Sequence, residues 1–418
     1  MRISLLSIGS RGDVQPMVTL GVELVGRGHD VVLAVPDDLV SFGLRAGVPT
    51  VSAGVNAREF LQSPDGQRWL AAGNVRQYLA GAARKRAESL DSIHTALLAA
   101  TRDADVIVTG RLTEDDAATI AEWAGVPLVC LHYAPWRPNP ALPSYFVSTR
   151  RLPAAVNTLT HRVAGRAHWK AFGPGVAALR RRLGMAPSSE PTPERLRRMG
   201  SPEVQAYSPV LVPELAGWSP RRPLVGFLSP DPAARRRLGM AGIDPALRAW
   251  LDAGDPPIYF GFGSMPVADP RTTLDMIRRV STTLGRRALV GAGWSEVTEA
   301  GDDDVRIEGE LDHASVFPRC RAAVHHGGAG TTYASIAAGL PTLVCSVFSD
   351  QPFWGERLRR LGAGDRLRFA DLTEQRLLRG VQRVLAGTYR DRAAELAARL
   401  HAEGEAAARA ADIVEKAR

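Results

Sequence analysis

The chain has 418 residues, of which 45% are hydrophobic and 23% are charged. These fractions are ordinary for a globular protein, so bulk disorder and a fibrous architecture are excluded. At about 100 to 200 residues per domain, the length predicts two domains. No stretch approaches the roughly 18 uninterrupted apolar residues that a membrane-spanning helix needs, so we expect no integral membrane segment.

The net charge is +8, and only three of the 52 basic residues are lysine. A basic chain suits a nucleic acid, an anionic lipid surface or a phosphorylated small ligand. Because the basic residues are scattered along the chain with acids among them, we favour a composition bias over a dedicated basic surface. Clustered basic residues with stacking aromatics are not evident, so no nucleic-acid partner is predicted.

The cysteines are Cys130, Cys320 and Cys345, and no pair has the spacing of a metal site or redox motif. This argues against a disulfide scaffold and favours a reducing compartment. The first apolar run, residues 3–8, is too short for the core of a signal peptide and is typical of a buried strand. We therefore predict a cytoplasmic protein.

Strands and helices alternate along the first half of the chain. Apolar runs predict strands at residues 3–8, 31–35, 106–108 and 128–131. Helical spacing predicts a helix that starts near residue 14 and ends at Gly26 to Gly28, and another over 117–124. Apolar strands that alternate with helices indicate a parallel sheet covered on both faces.

The middle of the chain has a different character. Residues 150–198 are rich in arginine, with helical stretches interrupted by proline and glycine. A basic amphipathic helix there would be able to contact a membrane or a partner, but a solvated helix face is the favoured interpretation. Residues 207–228 contain several prolines and little periodicity, which predicts an interdomain linker.

The strand–helix alternation then begins again, which gives two similar α/β halves, each like a nucleotide-binding sheet. The predicted strands are 258–262, 288–290, 305–307, 322–325 and 342–345. Residues 390–416 have a long alanine-rich helical pattern that is suited to packing back on the other half. We therefore divide the chain into an N-terminal domain (1–206), a linker (207–228), a C-terminal domain (229–389) and a closing helix (390–418).

Two glycine-rich turns each join a predicted strand to a helix. The first is Gly9-Ser10-Arg11-Gly12-Asp13, and the second runs from His325-His326-Gly327 to Thr332, before a helix over 333–338. Small residues at such a turn let a ligand approach backbone N–H groups, and a helix N-terminus favours an anion. Neither turn is a Walker loop or a clean GxGxxG motif, and many turns of this kind only reverse the chain.

The polar side chains at these turns have both a structural and a functional interpretation. Asp13 either caps the first helix or acts as a general base that takes a proton from a substrate hydroxyl. Because successive strand residues point to opposite faces, one of His325 and His326 faces the turn, where it can donate to a phosphate. Thr331 and Thr332 either offer hydroxyls to a diphosphate or cap the helix.

A third polar segment follows the strand at 342–345. Asp350 and Gln351 lie side by side at the carboxyl end of this strand, which suits hydrogen bonding to a polyhydroxylated ligand. The structural alternative is a helix cap by Ser349 or Asp350 before Pro352.

With these residues assembled, the chain resembles the GT-B glycosyltransferases of family 1. It is most similar to bacterial natural-product enzymes, including the glycopeptide type, and to sterol glucosyltransferases. The resemblance rests on four motifs in a fixed order: residues 9–16, Phe262-Gly263-Ser264-Met265, residues 325–332 and residues 349–355. It implies an α/β fold of the GT-B type, with two Rossmann-like parallel-sheet domains facing across a cleft.

The resemblance also assigns roles to residues. Asp13 aligns with the catalytic-base position, which many members fill with His, and His325 matches the phosphate-binding histidine. Trp294 would wall the nucleobase pocket or pack in the core. The full set of donor-binding residues that the resemblance implies is Ser264, Leu311, His325, Gly328, Ala329, Gly330, Thr331, Asp350 and Gln351. No metal or other cofactor is expected, because the helix N-terminus, backbone donors and a histidine can stabilise the leaving diphosphate.

The acceptor is expected on the N-terminal domain, lined by residues 60–78 and 132–146. Candidate acceptor-binding residues are Ser10, Tyr133, Trp136 and Phe146. Aromatic side chains in a proline-rich loop suit a flat apolar molecule, and they suit an ordinary loop core equally well.

The predicted reaction is inverting transfer of a sugar from a dTDP- or UDP-sugar to a hydroxyl or nitrogen of a small lipophilic natural product, as in antibiotic biosynthesis. One alternative is a UDP-glucose-dependent sterol or terpenoid glucosyltransferase. Another is a catalytically silent partner protein that binds nucleotide sugars. A dinucleotide-dependent enzyme is disfavoured, because the fingerprint for such cofactors is missing. We expect a monomer or a homodimer.

Overall fold

The structure is a computed structural model that describes residues 1–63, 66, 75–240, 242–261, 270–293, 303–309 and 311–417. The described chain forms two compact units. Unit 1 contains residues 1–63, 76–239 and 405–417, and unit 2 contains the described residues of 240–404 together with Gly66 and Val75.

Unit 1 is built on a six-stranded parallel sheet with the strand order β3-β2-β1-β4-β5-β6. Its strands are short and mostly buried, as expected where helices cover both faces. In the register of the sheet, Leu5 lies opposite Leu33 and Val108. The strands are β1 (Arg2–Leu6), β2 (Asp30–Val35), β3 (Thr50–Ser52), β4 (Val106–Thr109), β5 (Leu128–His132) and β6 (Glu203–Gln205).

The helices of unit 1 cover this sheet and bury a core that includes Leu6, Leu97, Ile107 and Ile120. They are α1 (Arg11–Gly26), α2 (Val40–Ala46), α3 (Ala57–Gln62), α4 (Val75–Glu88), α5 (Leu90–Ala100), α6 (Glu114–Ala124), α7 (Ala154–Arg182), α8 (Thr192–Arg198), α9 (Pro232–Arg237) and α17 (Ala406–Lys416).

Unit 2 repeats the same winding in a second six-stranded parallel sheet, ordered β12-β11-β10-β7-β8-β9. Its strands are β7 (Ile258–Gly261), β8 (Ala288–Gly291), β9 (Val305–Glu308), β10 (Ala322–His325), β11 (Thr342–Ser346) and β12 (Gly364–Arg368). Its helices are α10 (Pro245–Asp252), α11 (Pro270–Leu284), α12 (His313–Val316), α13 (Ala329–Ala337), α14 (Gln351–Leu361), α15 (Glu374–Val384) and α16 (Gly387–His401).

In each sheet the strand order reverses once, between β1 and β4 and between β7 and β10. Helices leave such a switch point in opposite directions and open a crevice at the carboxyl ends of the strands, where ligands bind in open α/β sheets. The glycine-rich turns after β1 and β10 lie at these two points. The α/β class with two parallel sheets is therefore confirmed.

The strands that the sequence predicts agree with the structure to within about two residues, and position 262 lies outside the described residues. Three strands were not predicted: β3, β6 and β12. Each carries polar or charged side chains, as in the Glu203–Gln205 segment, so the apolar signal of a strand is absent.

The proline-rich segment 207–228, expected to be an interdomain linker, packs into unit 1 instead. Its Tyr207, Val212 and Leu215 are almost completely buried, and the backbone of Gln205 pairs with Leu224. The division between the units falls after Gly239. Prolines remove backbone donors without preventing burial of the neighbouring side chains, so the composition of a linker and that of an irregular core segment look alike.

The closing pattern at 390–416 forms two helices, α16 in unit 2 and α17 in unit 1, separated around Gly404, whose φ is +72°. In unit 1, α17 packs against α1 through an ion-pair cluster. Arg27 donates to Asp412 at 2.7 Å and to Glu415 at 2.9 Å, and His29 bonds to Glu415 at 2.8 Å.

The three cysteines are buried and free. Within the described ranges, no helix has both the length and the apolarity to cross a bilayer.

Candidate functional site

The turn after β1 holds Asp13 in the first turn of α1. The Ser10 side chain accepts a hydrogen bond from the backbone N–H of Gly12 at 3.3 Å. In return, Asp13 Oδ2 accepts from the backbone N–H of Ser10 at 2.9 Å and from its hydroxyl at 3.2 Å. This reciprocal arrangement is a capping box, and it fixes the carboxylate at the carboxyl end of β1.

Gly9 is required by this arrangement. Its φ is +131°, and a Cβ placed on it would lie 2.3 Å from Asp13 Oδ2. A side chain at this position would be strained by the backbone and would push the carboxylate away.

The hydroxyl of Tyr133, just after β5, is buried near this carboxylate. Burial, with the negative charge of Asp13 adding to it, holds the pKa of Tyr133 well above its ordinary value. Among the described residues its oxygen has no hydrogen-bond partner. Buried polar groups are nearly always bonded, so this hydroxyl is suited to a ligand that completes its bonding.

Trp136 is the centre of an aromatic cluster on the segment after β5. Its ring meets Phe146 edge-on at 5.2 Å and lies 6.2 Å from Tyr145. The guanidinium of Arg111 lies 3.8 Å from the Trp136 ring centroid, and His168 of α7 approaches the same ring at 5.7 Å. The cluster is half-buried and apolar with one cation above it, which suits a flat ligand that carries polar groups.

A buried ionic network supports the strand ends below this cluster. Arg137 pairs with Glu203 and lies 2.8 Å from Glu114, which also bonds to His132 at 2.7 Å. Burial would raise the pKa of Glu114, but the guanidiniums of Arg137 and Arg111 hold it far below its ordinary range. Burial is the main cause of the lowered pKa of His132, which favours its neutral form.

Glu114, Cys130 and His132 place one potential metal-ligand atom each within 4.8 Å of one another. Arg137 already neutralises the Glu114 carboxylate, and burial raises the pKa of the Cys130 thiol. Glu114 is thus paired with Arg137, and the neighbouring Cys130 thiol keeps its proton. A metal site needs a free carboxylate and a thiolate, so these residues do not fit a set of metal ligands.

In unit 2, the turn after β10 opens directly onto the N-terminus of α13. The first helical bond runs from the N–H of Thr332 to the carbonyl of Gly328 at 2.9 Å. The N–H groups of Ala329, Gly330 and Thr331 therefore precede the helical ladder, and the cap residue Gly328 has no side chain to bond them. Three such donors with the positive end of the helix dipole are suited to an anion.

The two histidines of this turn have different surroundings. His325 is fully buried, and its Nδ1 accepts from the N–H of Gly327 at 3.0 Å. Its Nε2 therefore carries the proton and faces Ser335 Oγ at 3.4 Å. His326 is half-buried, and the burial of its ring lowers its pKa to about 4. Its Nδ1 has no hydrogen-bond partner among the described residues.

Asp350 directly precedes α14 without capping it by its side chain, and Gln351 is the first residue of the helix. Asp350 Oδ2 accepts a hydrogen bond from the indole N–H of Trp354 at 2.8 Å, and burial raises the pKa of this carboxyl. The Gln351 side-chain oxygen accepts from the N–H groups of Val347 and Phe348 at 2.8 and 3.2 Å. The Gln351 amide thus orders the turn after β11 with its oxygen.

Leu311 lies two residues before α12, and its half-buried side chain packs against the core of unit 2. Ser264 and Trp294 lie outside the described residues, as does most of the 60–78 segment.

In unit 1 the structure brings Ser10, Asp13 and Tyr133 together, and separately Trp136 and Phe146. In unit 2 it brings His325, His326 and residues 328–331 together around one helix end.

Sequence reasoning missed Arg111 and His168, which lie beside Trp136 in space. Arg111 follows β4 at the carboxyl edge of the sheet, and that position was its only detectable signal.

Comparison with known sequences identifies the family of the chain. Residues 3–138 match the glycosyltransferase family 28 N-terminal domain. Residues 289–416 match the C-terminal domain described as erythromycin biosynthesis protein CIII-like. The first match runs from β1 to β5 and the second from β8 to β12, so each includes the glycine-rich turn at a switch point.

Individual relatives give the same result. The chain is 37% identical to an uncharacterized glycosyltransferase of Mycobacterium leprae (strain TN), over 99% of this chain and 96% of the relative. It is 32% identical to a sterol 3-beta-glucosyltransferase of Arabidopsis thaliana, over 87% of this chain and 57% of the relative.

Solved structures share the fold at low sequence identity. The glycotransferase of kitacinnamycin matches with a TM-score of 0.70 at 19% identity, covering 100% of this chain and 98% of that one. The calicheamicin glycosyltransferase CalG4 also matches with a TM-score of 0.70, at 18% identity, covering 100% and 97%. The fold is that of a GT-B glycosyltransferase. The chain belongs to the glycosyltransferase family that its relatives represent, which confirms the resemblance in its motifs.

Proposed function

We propose that this glycosyltransferase transfers a sugar from a dTDP- or UDP-sugar to a hydroxyl or nitrogen of a small lipophilic natural product, with inversion and without a metal. Unit 2 binds the donor in this proposal, and unit 1 binds the acceptor. The uncapped N-terminus of α13, next to His325 and His326, is the observation that carries it.

The donor assignment is supported by the chemistry of the leaving group. Departure of a nucleoside diphosphate builds negative charge on its phosphate oxygens. The N–H groups of Ala329, Gly330 and Thr331 and the dipole of α13 suit this charge, and they are already oriented in the protein. Leu311 offers its backbone to the base, while Asp350, Gln351 and Ser264 are assigned to the sugar and diphosphate by the resemblance alone.

In the acceptor half, Asp13 takes the proton from the acceptor hydroxyl. The freed electron pair forms the bond to the anomeric carbon as the bond to the diphosphate breaks. The capping box supports this role, because it anchors one carboxylate oxygen of Asp13 on Ser10. Tyr133, Trp136 and Phe146 are the proposed acceptor contacts, and Arg111 joins them as a cation over the Trp136 ring.

A sterol or terpenoid glucosyltransferase that uses UDP-glucose is the second candidate. The 32% identity to a plant sterol 3-beta-glucosyltransferase favours it. The structural neighbours favour the first candidate, since one of them, the glycosyltransferase VinC, was solved in complex with dTDP. A catalytically silent nucleotide-sugar-binding protein is the third candidate, which the retained Asp13 and His325 disfavour.

Calorimetric titration with UDP and with dTDP, side by side, tests the proposal. Binding of dTDP alone would favour the natural-product pathway, and binding of UDP alone would favour the sterol or terpenoid candidate. Binding of neither nucleotide would overturn the donor assignment. Turnover of the matching nucleotide sugar with lipophilic acceptors then separates an enzyme from a silent homologue.

A further inference from the structure

Helix α7 of unit 1 exposes an aliphatic stripe. Val156, Leu159 and Val163 are 41%, 53% and 50% exposed and lie three and four residues apart on one face of the helix. Isolated exposed aliphatic residues are ordinary, but three on one stripe of a single helix form a continuous apolar surface. Val147, just before α7, is 49% exposed as well.

The same stripe continues as a row of cations. The 3–4 spacing that joins the three aliphatic residues leads on to Arg166 and Lys170, and Arg162 lies beside it. All three basic side chains are exposed. The ion pairs found among the described residues include none of them.

The sequence around this face carries no negative charge to offset these cations. There is no Asp or Glu between Glu122 and Glu190, a stretch that includes all of α7. Arg150 and Arg151, directly before the helix, are exposed too. An apolar stripe that continues along the same helix as exposed positive charge complements a surface that is apolar in depth and negative at its edge.

From this juxtaposition we propose that the outer face of α7 docks the protein on an anionic lipid bilayer. The aliphatic residues enter the boundary between headgroups and acyl chains, and the basic residues contact the lipid phosphates. A second copy of the chain is a poorer occupant, because a symmetric dimer through this face would bring identical cations together.

Docking through α7 would also serve the acceptor half, a consequence that rests on the proposed function. His168, on the inner side of the same helix, contacts Trp136 in the aromatic cluster and bonds to Asp115 at 2.8 Å. A lipophilic acceptor dissolved in the bilayer would then reach the cluster without crossing water. The docking itself needs neither donor nor acceptor, so lipid binding tests it separately from catalysis.

Flotation of the full chain with vesicles tests the proposal. We expect binding to vesicles of phosphatidylcholine and phosphatidylglycerol in equal amounts, little binding to phosphatidylcholine alone, and release by high salt. Arg162→Gln with Arg166→Gln should weaken partition roughly tenfold or more. Leu159→Ser with Val163→Ser should also weaken it at low salt, although this variant keeps every charge of the helix.

The matched control is Leu44→Ser with Arg45→Gln, an exposed aliphatic and basic pair on α2 of the same unit. It should bind vesicles like the wild type. Because all of these side chains are exposed, the variants should melt at the wild-type temperature. Absence of binding to both vesicles, or loss in the α2 control equal to loss in the α7 variants, would overturn the proposal. Self-association that Leu159→Ser abolishes, without vesicle binding, would assign the face to a second copy instead.

Discussion

The backbone N–H of Ser10 donates a hydrogen bond to the Asp13 carboxylate at 2.9 Å. The Asp13 side chain therefore completes the cap of α1, and it lies at the switch point of the sheet. The structural and the functional interpretations of Asp13 are therefore compatible. A capping role holds the carboxylate still, and a general base needs a fixed position relative to the proton that it takes.

Replacing Asp13 with Asn should separate the two roles. The amide oxygen of Asn can still accept from Ser10, so the fold and nucleotide binding should stay near wild type. Turnover should fall by roughly 10²–10⁴-fold, because the amide does not accept a proton. Initial rates with a saturating donor measure this.

Asp38→Asn is the control for that experiment. Asp38 also bonds backbone N–H groups at a helix start in unit 1, those of Ala57 at 2.8 Å and Arg58 at 3.3 Å. Its variant should keep wild-type turnover. Equal rates for the Asp13 variant and the wild type would remove Asp13 from the mechanism.

Gly9→Ala should displace the Asp13 carboxylate while leaving residue 13 itself unchanged. Both Gly9 (φ +131°) and Gly28 (φ +83°) have positive φ, but only at Gly9 would a Cβ meet Asp13, at 2.3 Å. Gly28→Ala should therefore cost only the backbone strain, about 1–2 kcal/mol. Gly9→Ala should cost more and also reduce turnover. Urea unfolding and initial rates of the two variants test this, and equal losses would show that the contact with Asp13 has no consequence.

The sequence predicts the two sheets well because buried parallel strands are apolar and follow a strict alternation with helices. It does not predict β3, β6 or β12, which carry polar side chains and lie at the edges of the sheets. The sequence also does not predict that residues 207–228 pack into unit 1. Burial of Tyr207 and Leu215 depends on which elements cover them in the folded chain, and proline content carries no information about that.

In the candidate sites, the turns were predictable because glycines mark positions where a side chain cannot fit. The residues that approach from other elements were not. Arg111 and His168 are 57 positions apart and meet at Trp136 only through the packing of α7 against α6. The sequence also does not predict which of His325 and His326 faces a ligand. The two residues are adjacent and identical, so only their three-dimensional surroundings distinguish them.

His325→Ala and His326→Ala together test which histidine contacts the diphosphate. The resemblance assigns this role to His325, whose variant should then weaken UDP or dTDP binding while His326→Ala leaves the Kd unchanged. His325→Ala should also destabilise unit 2, because the buried N–H of Gly327 loses its acceptor, at a cost of about 1–3 kcal/mol. Calorimetry on both folded variants measures the Kd. Loss of binding only in His326→Ala would transfer the role to His326, whose Nδ1 has no described partner.

Stability should fall as the pH falls from about 7 to about 5, in part because of His326. Burial lowers its pKa from 6.5 to about 4 in the folded chain. Between these values the unfolded chain binds a proton that the folded chain does not, so acid favours unfolding, by up to about 2 kcal/mol at pH 5. His326→Gln should reduce the loss measured by urea unfolding at the two pH values. His401→Gln, on the exposed surface of α16, should leave it unchanged.

Trp136→Ala should weaken binding of the acceptor and leave binding of the donor unchanged. Trp136 is packed between Phe146 at 5.2 Å and the guanidinium of Arg111 at 3.8 Å, so its loss removes the centre of the aromatic cluster. We expect the acceptor KM to rise by roughly tenfold or more, on the scale of about 1–3 kcal/mol for a lost aromatic contact. The Kd for the nucleotide should stay unchanged, because the donor groups lie in unit 2.

Trp123→Ala provides the comparison for Trp136, since Trp123 is 52% exposed at the end of α6 in the same unit. Arg111→Gln extends the test, because it removes the cation above the ring while Trp136 keeps its place. A KM that rises in both Trp136→Ala and Arg111→Gln, and not in Trp123→Ala, would assign the cluster to acceptor binding. A fall in thermal stability with an unchanged acceptor KM would instead make the cluster a structural core of the segment after β5, and would direct the search for the acceptor site to Tyr133 and its buried hydroxyl.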